Sequence, residues 1–253
     1  PPVTIVQLWN PPMSKPGKSS STSKSSLAGG TRRLRTQVKK TAGRSVSSKA
    51  WLDRQLNDPY VVAARERGLR SRAAFKLAQI DEKYHLLKPG MAIIDLGSTP
   101  GGWTQIAVDK VKPDKSGRVI AVDINPMDPV AGSVFLQLDF TEEGAEEKVK
   151  ALLAGGGADG VLSDMASPAT GHHRTDHLRI MGLCEIALAF AIDVLKPGGF
   201  FIAKVLAGGT EGDLLSTLKR SFAVVRHVKP EASRSDSTEL YVLATGFRGR
   251  AAA

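Results

Sequence analysis

The sequence predicts an α/β fold in which a Rossmann-like, doubly wound sheet of seven mostly parallel strands carries helices on both faces. From Trp51 onward, short β-rich segments alternate with longer helical segments, as is typical of a parallel sheet covered on both sides. The first strand ends in a glycine-rich turn, where open α/β sheets bind nucleotide-like ligands. The last two strands are joined only by Lys229–Glu239, which is too short for a helical crossover and predicts an antiparallel pair at the sheet edge.

The individual elements follow from local signals in chain order. Strands are predicted where short apolar and β-branched runs occur, and helices where longer stretches separate these runs. Pro89-Gly90 and Pro197-Gly198-Gly199 end helices directly before a strand. The predicted strands are Ala92–Leu96, Arg118–Ile124, Val134–Phe140, Gly160–Met165, Phe200–Leu206, Ala223–Val228 and Leu240–Thr245. The predicted helices are Ser71–Leu87, Trp103–Val111, Glu142–Leu153, His177–Leu195 and Gly212–Ser221.

The excess positive charge of the chain lies at its amino terminus. Residues 1–50 contain ten of the 35 Lys and Arg residues and no Asp or Glu, which leaves 25 basic and 25 acidic residues in the remainder. Ser, Lys, Gly and Thr dominate this segment, so it buries too little apolar surface to offset its ordering entropy. We therefore predict a disordered basic arm over residues 1–47 and one folded domain over residues 48–248. The arm either binds RNA through counterion release or is a solubilising tail without a specific target.

Cysteine content and hydropathy restrict the compartment. The single cysteine, Cys184, excludes an internal disulfide and lies in an apolar run, where helix packing is expected. No segment has the length of a membrane span or the pattern of a secretory signal, so we expect a soluble cytoplasmic monomer. Because the basic, acid-free amino terminus is similar to a transit peptide, mitochondrial targeting is the alternative.

The glycine-rich turn over Asp95–Trp103 predicts a cofactor site. Trp103 stands where a P-loop needs lysine, and the Gly-x-Gly-x-x-Gly pattern of dinucleotide folds is absent. A carboxylate at Asp95 would repel a pyrophosphate but suits the cationic amino-acid end of S-adenosylmethionine. The predicted cofactor-binding residues of the turn are Asp95, Gly97, Pro100, Gly101 and Trp103.

Two further carboxylates follow at the ends of the next two predicted strands. Asp123 lies at the spacing from which an acidic group reaches the ribose hydroxyls of an adenosine. Asp139 ends the third predicted strand and is expected to accept from the adenine amino group. Any one of these acids could be a helix cap, but three acids at three successive strand ends favour a ligand site.

Five segments together resemble the FtsJ-type RNA ribose 2′-O-methyltransferases. They are Leu69–Leu77, Asp95–Trp103, Ser163-Asp164-Met165, Ala203-Lys204-Val205 and Ser237–Tyr241. The resemblance implies a class I fold that uses S-adenosylmethionine and a catalytic Lys-Asp-Lys-Glu tetrad at Lys76, Asp164, Lys204 and Glu239. The sequence departs from the family pattern at Ser98, Thr99, Leu206 and Asp236. Asp236 makes the loop before the last predicted strand less basic than the family pattern, which reduces the expected share of this loop in RNA binding.

The tetrad residues suit methyl transfer to a hydroxyl group. A ribose hydroxyl is a weak acid that must lose its proton as it attacks the methyl group, and a lysine accepts that proton only in its neutral form. We expect Lys204 to be the base, with Lys76 as a neighbouring charge. Asp164 and Glu239 would hold the lysines and the substrate, and Asp164 would also contact the cofactor. Taken alone, Lys76 could equally lie on the exposed face of an amphipathic helix.

A group of arginines near the tetrad indicates an RNA-binding track. Its members are Arg65, Arg67, Arg70, Arg72 and Arg234, and such side chains commonly contact phosphates. His172, His173 and His177 could suggest zinc, but the ligand spacing of a zinc site is missing, so we predict no metal.

The resemblance implies that the substrate is a uridine of large-subunit (23S) ribosomal RNA in the assembled subunit, which would make that subunit the partner. The alternatives are methylation of transfer RNA or mitochondrial ribosomal RNA, methylation of a protein or a small molecule, and a non-catalytic factor that binds RNA during ribosome assembly. Retention of all four tetrad residues argues against the last of these.

Overall fold

The computed structural model describes residues 56–114, 117–208 and 212–249. The predicted basic arm, residues 1–47, lies outside this part of the chain. Within it, a seven-stranded sheet has the order β3-β2-β1-β4-β5-β7-β6. The strands are β1 Ala92–Leu96, β2 Arg118–Asp123, β3 Ser133–Gln137, β4 Ala158–Ser163, β5 Leu195–Leu206, β6 Phe222–Val228 and β7 Glu239–Phe247. Strands β1 to β5 pair in parallel, whereas β7 is antiparallel to both β5 and β6. The predicted fold class is thus confirmed.

Six helices are described, on both faces of the sheet. They are α1 Pro59–Glu66, α2 Ala74–Tyr84, α3 Gly102–Val111, α4 Ala145–Ala151, α5 His173–Val194 and α6 Gly212–Ser221. Helices α2 and α3 pack on one face through residues such as Leu77 and Ala107, whereas α4, α5 and α6 cover the other through residues such as Val149 and Leu218. Central strands are mainly apolar because both of their faces are covered, and Asp95 of β1 and Lys204 of β5 are exceptions.

Helix α1 was not predicted from the sequence. It begins at Pro59, where proline is well tolerated, and the Asp58 carboxylate accepts a hydrogen bond from the Tyr60 amide at 2.9 Å. An Asp-Pro start was therefore visible in the sequence, but the helix has a weak apolar pattern and only Ala64 is buried within it.

Strand β5 begins earlier than predicted, directly after helix α5. Ala158 pairs with Leu195 and Gly160 pairs with Phe200, so the four residues between Leu195 and Phe200 bulge out of the ladder. Cys184 lies on α5 and packs in the hydrophobic core as expected, and burial raises the pKa of its thiol to about 12. No helix among the described residues is long and apolar enough to cross a membrane.

Candidate functional site

The four tetrad residues meet at the sheet edge where β4 and β5 end and β7 begins. Asp164 directly follows β4, and its amide donates to the Leu96 carbonyl at 3.0 Å. Lys204 of β5 stands opposite Tyr241 of β7. Glu239 lies two residues before Tyr241, so the two side chains share one face of the strand. Lys76 reaches the same point from the first turn of α2.

Two ion pairs hold the tetrad together. Lys76 Nζ lies 2.6 Å from Glu239 Oε1, and Lys204 Nζ lies 2.8 Å from Asp164 Oδ1. Lys204 Nζ is also 3.9 Å from Glu239 Oε2 and donates to the Asp164 carbonyl at 3.0 Å. Lys76 is buried, which excludes the alternative of an exposed helix face. Lys204 therefore lies between the two carboxylates.

Tyr241 lies at the centre of this cluster, although the sequence analysis gave it no role. Its hydroxyl accepts from Lys76 Nζ at 3.1 Å and donates to Asp164 Oδ1 at 2.8 Å, with Glu239 Oε1 at 3.3 Å as a longer alternative. Burial raises the pKa of Tyr241 well above its ordinary value, and the neighbouring carboxylates of Asp164 and Glu239 raise it further. The hydroxyl thus keeps its proton and links both ion pairs. Its position two residues after Glu239 was the signal that could have identified it.

Glu239 is held in its ionised form. Burial alone would raise its pKa, but the charges of Lys76 and Lys204 and hydrogen bonds from Lys76 and Ser233 together lower it. The Ser233 hydroxyl donates to Glu239 Oε1 at 3.0 Å. A negative charge is therefore maintained between the two lysines.

A cavity of about 420 Å³ opens on one side of the tetrad, which we call the cofactor cavity. It is lined by Asp164, by parts of the glycine-rich turn and by residues that follow β2 and β3, including Gly97, Thr99, Asp123 and Asp139. This is the crevice at the carboxyl ends of the strands where open α/β sheets bind ligands.

Gly97 is required where the turn leaves β1. Its φ is +76°, and a Cβ atom there would lie 2.7 Å from the backbone of Met165, on the opposite wall of the cofactor cavity. The Gly97 and Ser98 amides donate to the Val122 carbonyl, at 2.9 and 3.1 Å, which ties the turn to β2. The close approach of the two walls therefore depends on the absence of a side chain.

The two predicted adenosine-binding acids both line this cavity. Asp123 accepts three hydrogen bonds from Thr99 and Asn125, fewer than the roughly four that a carboxylate can accept. Asp139 lies two residues beyond the end of β3 rather than within it. Hydrogen bonds from the hydroxyl and then the amide of Thr141 lower the pKa of Asp139, so this carboxyl remains ionised.

Asp95 lies fully buried within β1, behind the turn. Thr104 Oγ1 donates to its Oδ2 at 2.7 Å, and its Oδ1 has no partner among the described residues. Burial raises the pKa of Asp95 to about 7; the hydrogen bond from Thr104 lowers it, and the nearby Asp164 and Asp123 raise it. A cation bound close by would favour the ionised form.

The remaining predicted residues of the turn do not line the cofactor cavity. Trp103 is buried, its ring N–H donates to the Ala73 carbonyl at 2.9 Å, and its ring centroid lies 5.4 Å from that of Tyr241. Because Trp103 is in the first turn of α3, its side chain points into the core that supports Lys76 and Tyr241. Pro100 and Gly101 form the outer part of the turn, against Arg70.

A second cavity, of about 280 Å³, opens on the other side of the tetrad, and we call it the acceptor cavity. Its lining is almost entirely polar and consists of Arg72, Lys76, Arg234, Asp236, Ser237 and Glu239. The two cavities thus meet at the tetrad, with Asp164 on one side and Lys76 and Glu239 on the other.

The five arginines predicted to contact RNA fall into three groups. Arg72 and Arg234 line the acceptor cavity, whereas Arg65 and Arg67 are exposed at the end of α1. Arg70 instead donates to the carbonyls of Pro100, Asp128 and Pro129, so its guanidinium clamps the glycine-rich turn to the segment after β2. The structure therefore favours a role for Arg70 in holding the cofactor loop.

The histidines lie at the amino terminus of α5. His172 and His173 are exposed, and His177 is partly buried. In the part of the chain that the structure describes, no group of three or more His, Cys, Asp or Glu side chains could hold a metal ion.

The chain is similar to known methyltransferases over most of its length. A family model described as FtsJ-like methyltransferase matches residues 69–247. The chain is 58% identical over 246 residues to the ribosomal RNA large subunit methyltransferase E of Parvibaculum lavamentivorans, covering 94% of this chain and 96% of that protein. It is 60% identical over 224 residues to the protein of the same name from Bradyrhizobium diazoefficiens, covering 88% and 98%. A crystal structure described as a ribosomal RNA methyltransferase, from Plasmodium falciparum, matches with a TM-score of 0.63 and 31% identity, covering 72% of this chain and 100% of that one.

Proposed function

From the premise that the chain belongs to the FtsJ-like methyltransferase family, we propose that it methylates the ribose 2′-hydroxyl of a uridine in large-subunit ribosomal RNA. The observation that carries the proposal is the tetrad at the junction of two cavities, one suited to a methyl donor and one to a polar, anionic acceptor. The relatives named as large subunit ribosomal RNA methyltransferases support the choice of RNA.

The methyl donor is S-adenosylmethionine, and the cofactor cavity fits it. The ionised Asp139 gives the cavity the negative charge that a cationic ligand needs, and the unpartnered Oδ1 of Asp95 lies buried behind the turn. Asp123 retains capacity to accept from a ribose hydroxyl, and Gly97 leaves space beside Met165. When bound, the cofactor supplies an electrophilic methyl group on a sulfonium and leaves as S-adenosylhomocysteine.

In the proposed reaction, Lys204 accepts the proton of the 2′-hydroxyl. The O–H bond breaks as the oxygen forms a bond to the methyl carbon and the carbon–sulfur bond breaks, and the proton stays on Lys204 Nζ. Asp164, 2.8 Å from Lys204, orients the amine and stabilises the ammonium that forms. Lys204 accepts this proton only in its neutral form.

Lys76 and Glu239 form the acceptor side of the proposed site. Their ion pair lines the acceptor cavity, where it can hydrogen-bond the ribose on either side of the reacting hydroxyl. Positioning the hydroxyl in line with the methyl group is worth a large part of the rate in reactions of this kind. We further propose that the substrate is the assembled large subunit in the bacterial cytoplasm. The names of the bacterial relatives support the coarser choice of large-subunit ribosomal RNA.

The test is transfer of a tritiated methyl group from S-adenosylmethionine to large ribosomal subunits isolated from cells that lack the activity. We expect label in a ribose of the large ribosomal RNA with the wild-type protein. Lys204→Ala should lower the rate at least about 100-fold, the lower limit of general acid–base contributions. Lys196→Ala is the matched control, because Lys196 pairs with Asp159 at the opposite end of β5. Label in transfer RNA, in protein or in no acceptor would contradict the proposal.

A further inference from the structure

We propose that Asp58 is a positioning residue that holds the guanidinium groups of Arg72 and Arg234 in the orientation in which both can contact a phosphodiester group next to the target ribose. This inference deepens the proposed function and rests on it. It assigns a role to Asp58, a residue outside the tetrad, the glycine-rich turn and the predicted arginine track.

A single carboxylate oxygen joins the two arginines. Asp58 Oδ2 lies 3.0 Å from Arg72 Nε and 3.5 Å from Arg234 Nε. The Asp58 side chain is only 8% exposed, against 19% for Arg72 and 30% for Arg234. Asp58 precedes α1, Arg72 precedes α2 and Arg234 lies between β6 and β7, so the carboxylate connects three separate segments.

The surroundings fix Asp58 and Arg72 in one geometry. The other oxygen of Asp58 caps α1 by accepting from the Tyr60 amide. Arg72 Nη2 donates to the Ala232 carbonyl at 2.7 Å, and the Arg72 guanidinium lies 5.9 Å from the centroid of the Tyr60 ring. Arginine side chains held in this way have little conformational entropy left to lose when a ligand binds.

The chemistry of the cavity favours a phosphate over a neutral ligand. Both arginines line the cavity, and Asp58 contacts the Nε atom of each of them. A guanidinium presents its N–H donors in a planar fork that matches phosphate oxygens. The carboxylate of Asp236 also lines the cavity and repels an anion, so we place the phosphate against the two guanidinium groups.

This placement orients the substrate. Asp164 lines the cofactor cavity, and Lys76 and Glu239 line the acceptor cavity, so a 2′-hydroxyl in the acceptor cavity has to point past the tetrad to reach the methyl group. A phosphate bound by Arg72 and Arg234 would then hold the same nucleotide at a second point, in addition to the contacts of its ribose with the tetrad. Contacts of this kind fix the register of the RNA without reading its sequence.

The experiment measures RNA affinity for full-length Asp58→Asn, Arg72→Gln and Arg234→Gln. Arg220→Gln is the control, because Arg220 lies on α6 just before β6 begins, whereas Arg234 follows the other end of β6. The probe is a fluorescein-labelled single-stranded RNA, followed by anisotropy over a range of salt concentrations. Each arginine variant should bind about tenfold more weakly and lower the magnitude of the salt slope by about one, as expected for the loss of one phosphate contact. Arg220→Gln should match the wild type.

Asp58→Asn gives the sharper result because removal of a negative charge should by itself strengthen RNA binding. If Asp58 positions the arginines, this variant instead binds RNA more weakly, by about three- to tenfold, although the Asn side chain can still cap α1. Affinity for S-adenosylhomocysteine, measured by calorimetry, should stay at the wild-type value in all variants. Tighter or unchanged RNA binding by Asp58→Asn, or arginine variants that behave like Arg220→Gln, would overturn the inference.

Methyl transfer to large subunits is measured in parallel. If the wild-type protein transfers no methyl group to large subunits, the proposed function is wrong. The anisotropy measurements test the phosphate site separately, because they do not depend on methylation.

Discussion

Replacing Tyr241 with Phe should lower the rate of methyl transfer while leaving the fold and the cofactor affinity intact. The substitution removes only the hydroxyl, so the aromatic ring remains packed against Trp103 in the core. It deletes a hydroxyl that contacts both ion pairs of the tetrad, through Lys76 on one side and Asp164 on the other.

The expected size of the effect follows from these contacts. The hydroxyl makes hydrogen bonds of 3.1 Å to Lys76 and 2.8 Å to Asp164, both to charged groups. Such bonds are worth about 1.5–3 kcal/mol each. Lys76 and Asp164 keep their ion pairs with Glu239 and Lys204, so we expect a net loss of about 2–3 kcal/mol. Applied to the activation barrier, this corresponds to a roughly 30- to 150-fold decrease in kcat.

The assay is single-turnover methyl transfer to large subunits across a range of pH, with calorimetry for S-adenosylhomocysteine and thermal unfolding alongside. Because Tyr241 is a positioning residue, kcat and the pH profile should change while cofactor affinity does not. Tyr84→Phe, which removes a hydroxyl at the far end of α2, is the matched control. A Tyr241→Phe protein with the wild-type kcat and pH profile would refute the reasoning.

Three further predictions concern the cofactor side. Because the pKa of Asp95 is about 7 in the fold and 3.8 in the unfolded chain, the unfolded state releases this proton first as pH rises. Between about pH 4 and pH 7, the free energy of unfolding of the wild type should therefore fall by up to about 4 kcal/mol relative to that of Asp95→Asn, as measured by urea titration. The same dependence on pH in both proteins would contradict this. Arg70→Gln should weaken S-adenosylhomocysteine binding about tenfold in calorimetry without altering the salt slope of RNA binding, whereas the exposed Arg67→Gln should leave cofactor affinity unchanged. Gly97→Ala should lower both the melting temperature and the cofactor affinity, because φ is +76° and its Cβ would lie 2.7 Å from the Met165 backbone; wild-type cofactor binding would show that the turn adapts.

The sequence was sufficient to predict several parts of the site. Gly97, Asp123 and Asp139 line the cofactor cavity because the carboxyl ends of parallel strands converge at one edge, so residues that follow successive strands become neighbours. The tetrad was available only through family resemblance. Its members are separated by up to 163 positions, and nothing in local propensity indicates that they meet.

Side-chain direction was the part of the site that the sequence did not reveal. Trp103 follows the glycine-rich turn, but the first turn of α3 directs its ring into the core rather than toward the cofactor cavity. Arg70 belongs to a basic run that indicates RNA binding, yet its guanidinium is used on three backbone carbonyls. In both cases, segments distant in sequence decided which groups the side chain contacts.

By itself, the sequence determined the alternation of strands and helices, the antiparallel last strand and the position of the cofactor turn, because each depends on local periodicity, turn chemistry or the length of a link. Only the tertiary structure decided that β7 lies between β5 and β6, which places Glu239 and Tyr241 beside Lys204. It also decided that Asp58 gathers Arg72 and Arg234. These contacts join residues far apart in the chain, and their geometry is set by packing and charge pairing that no local pattern encodes.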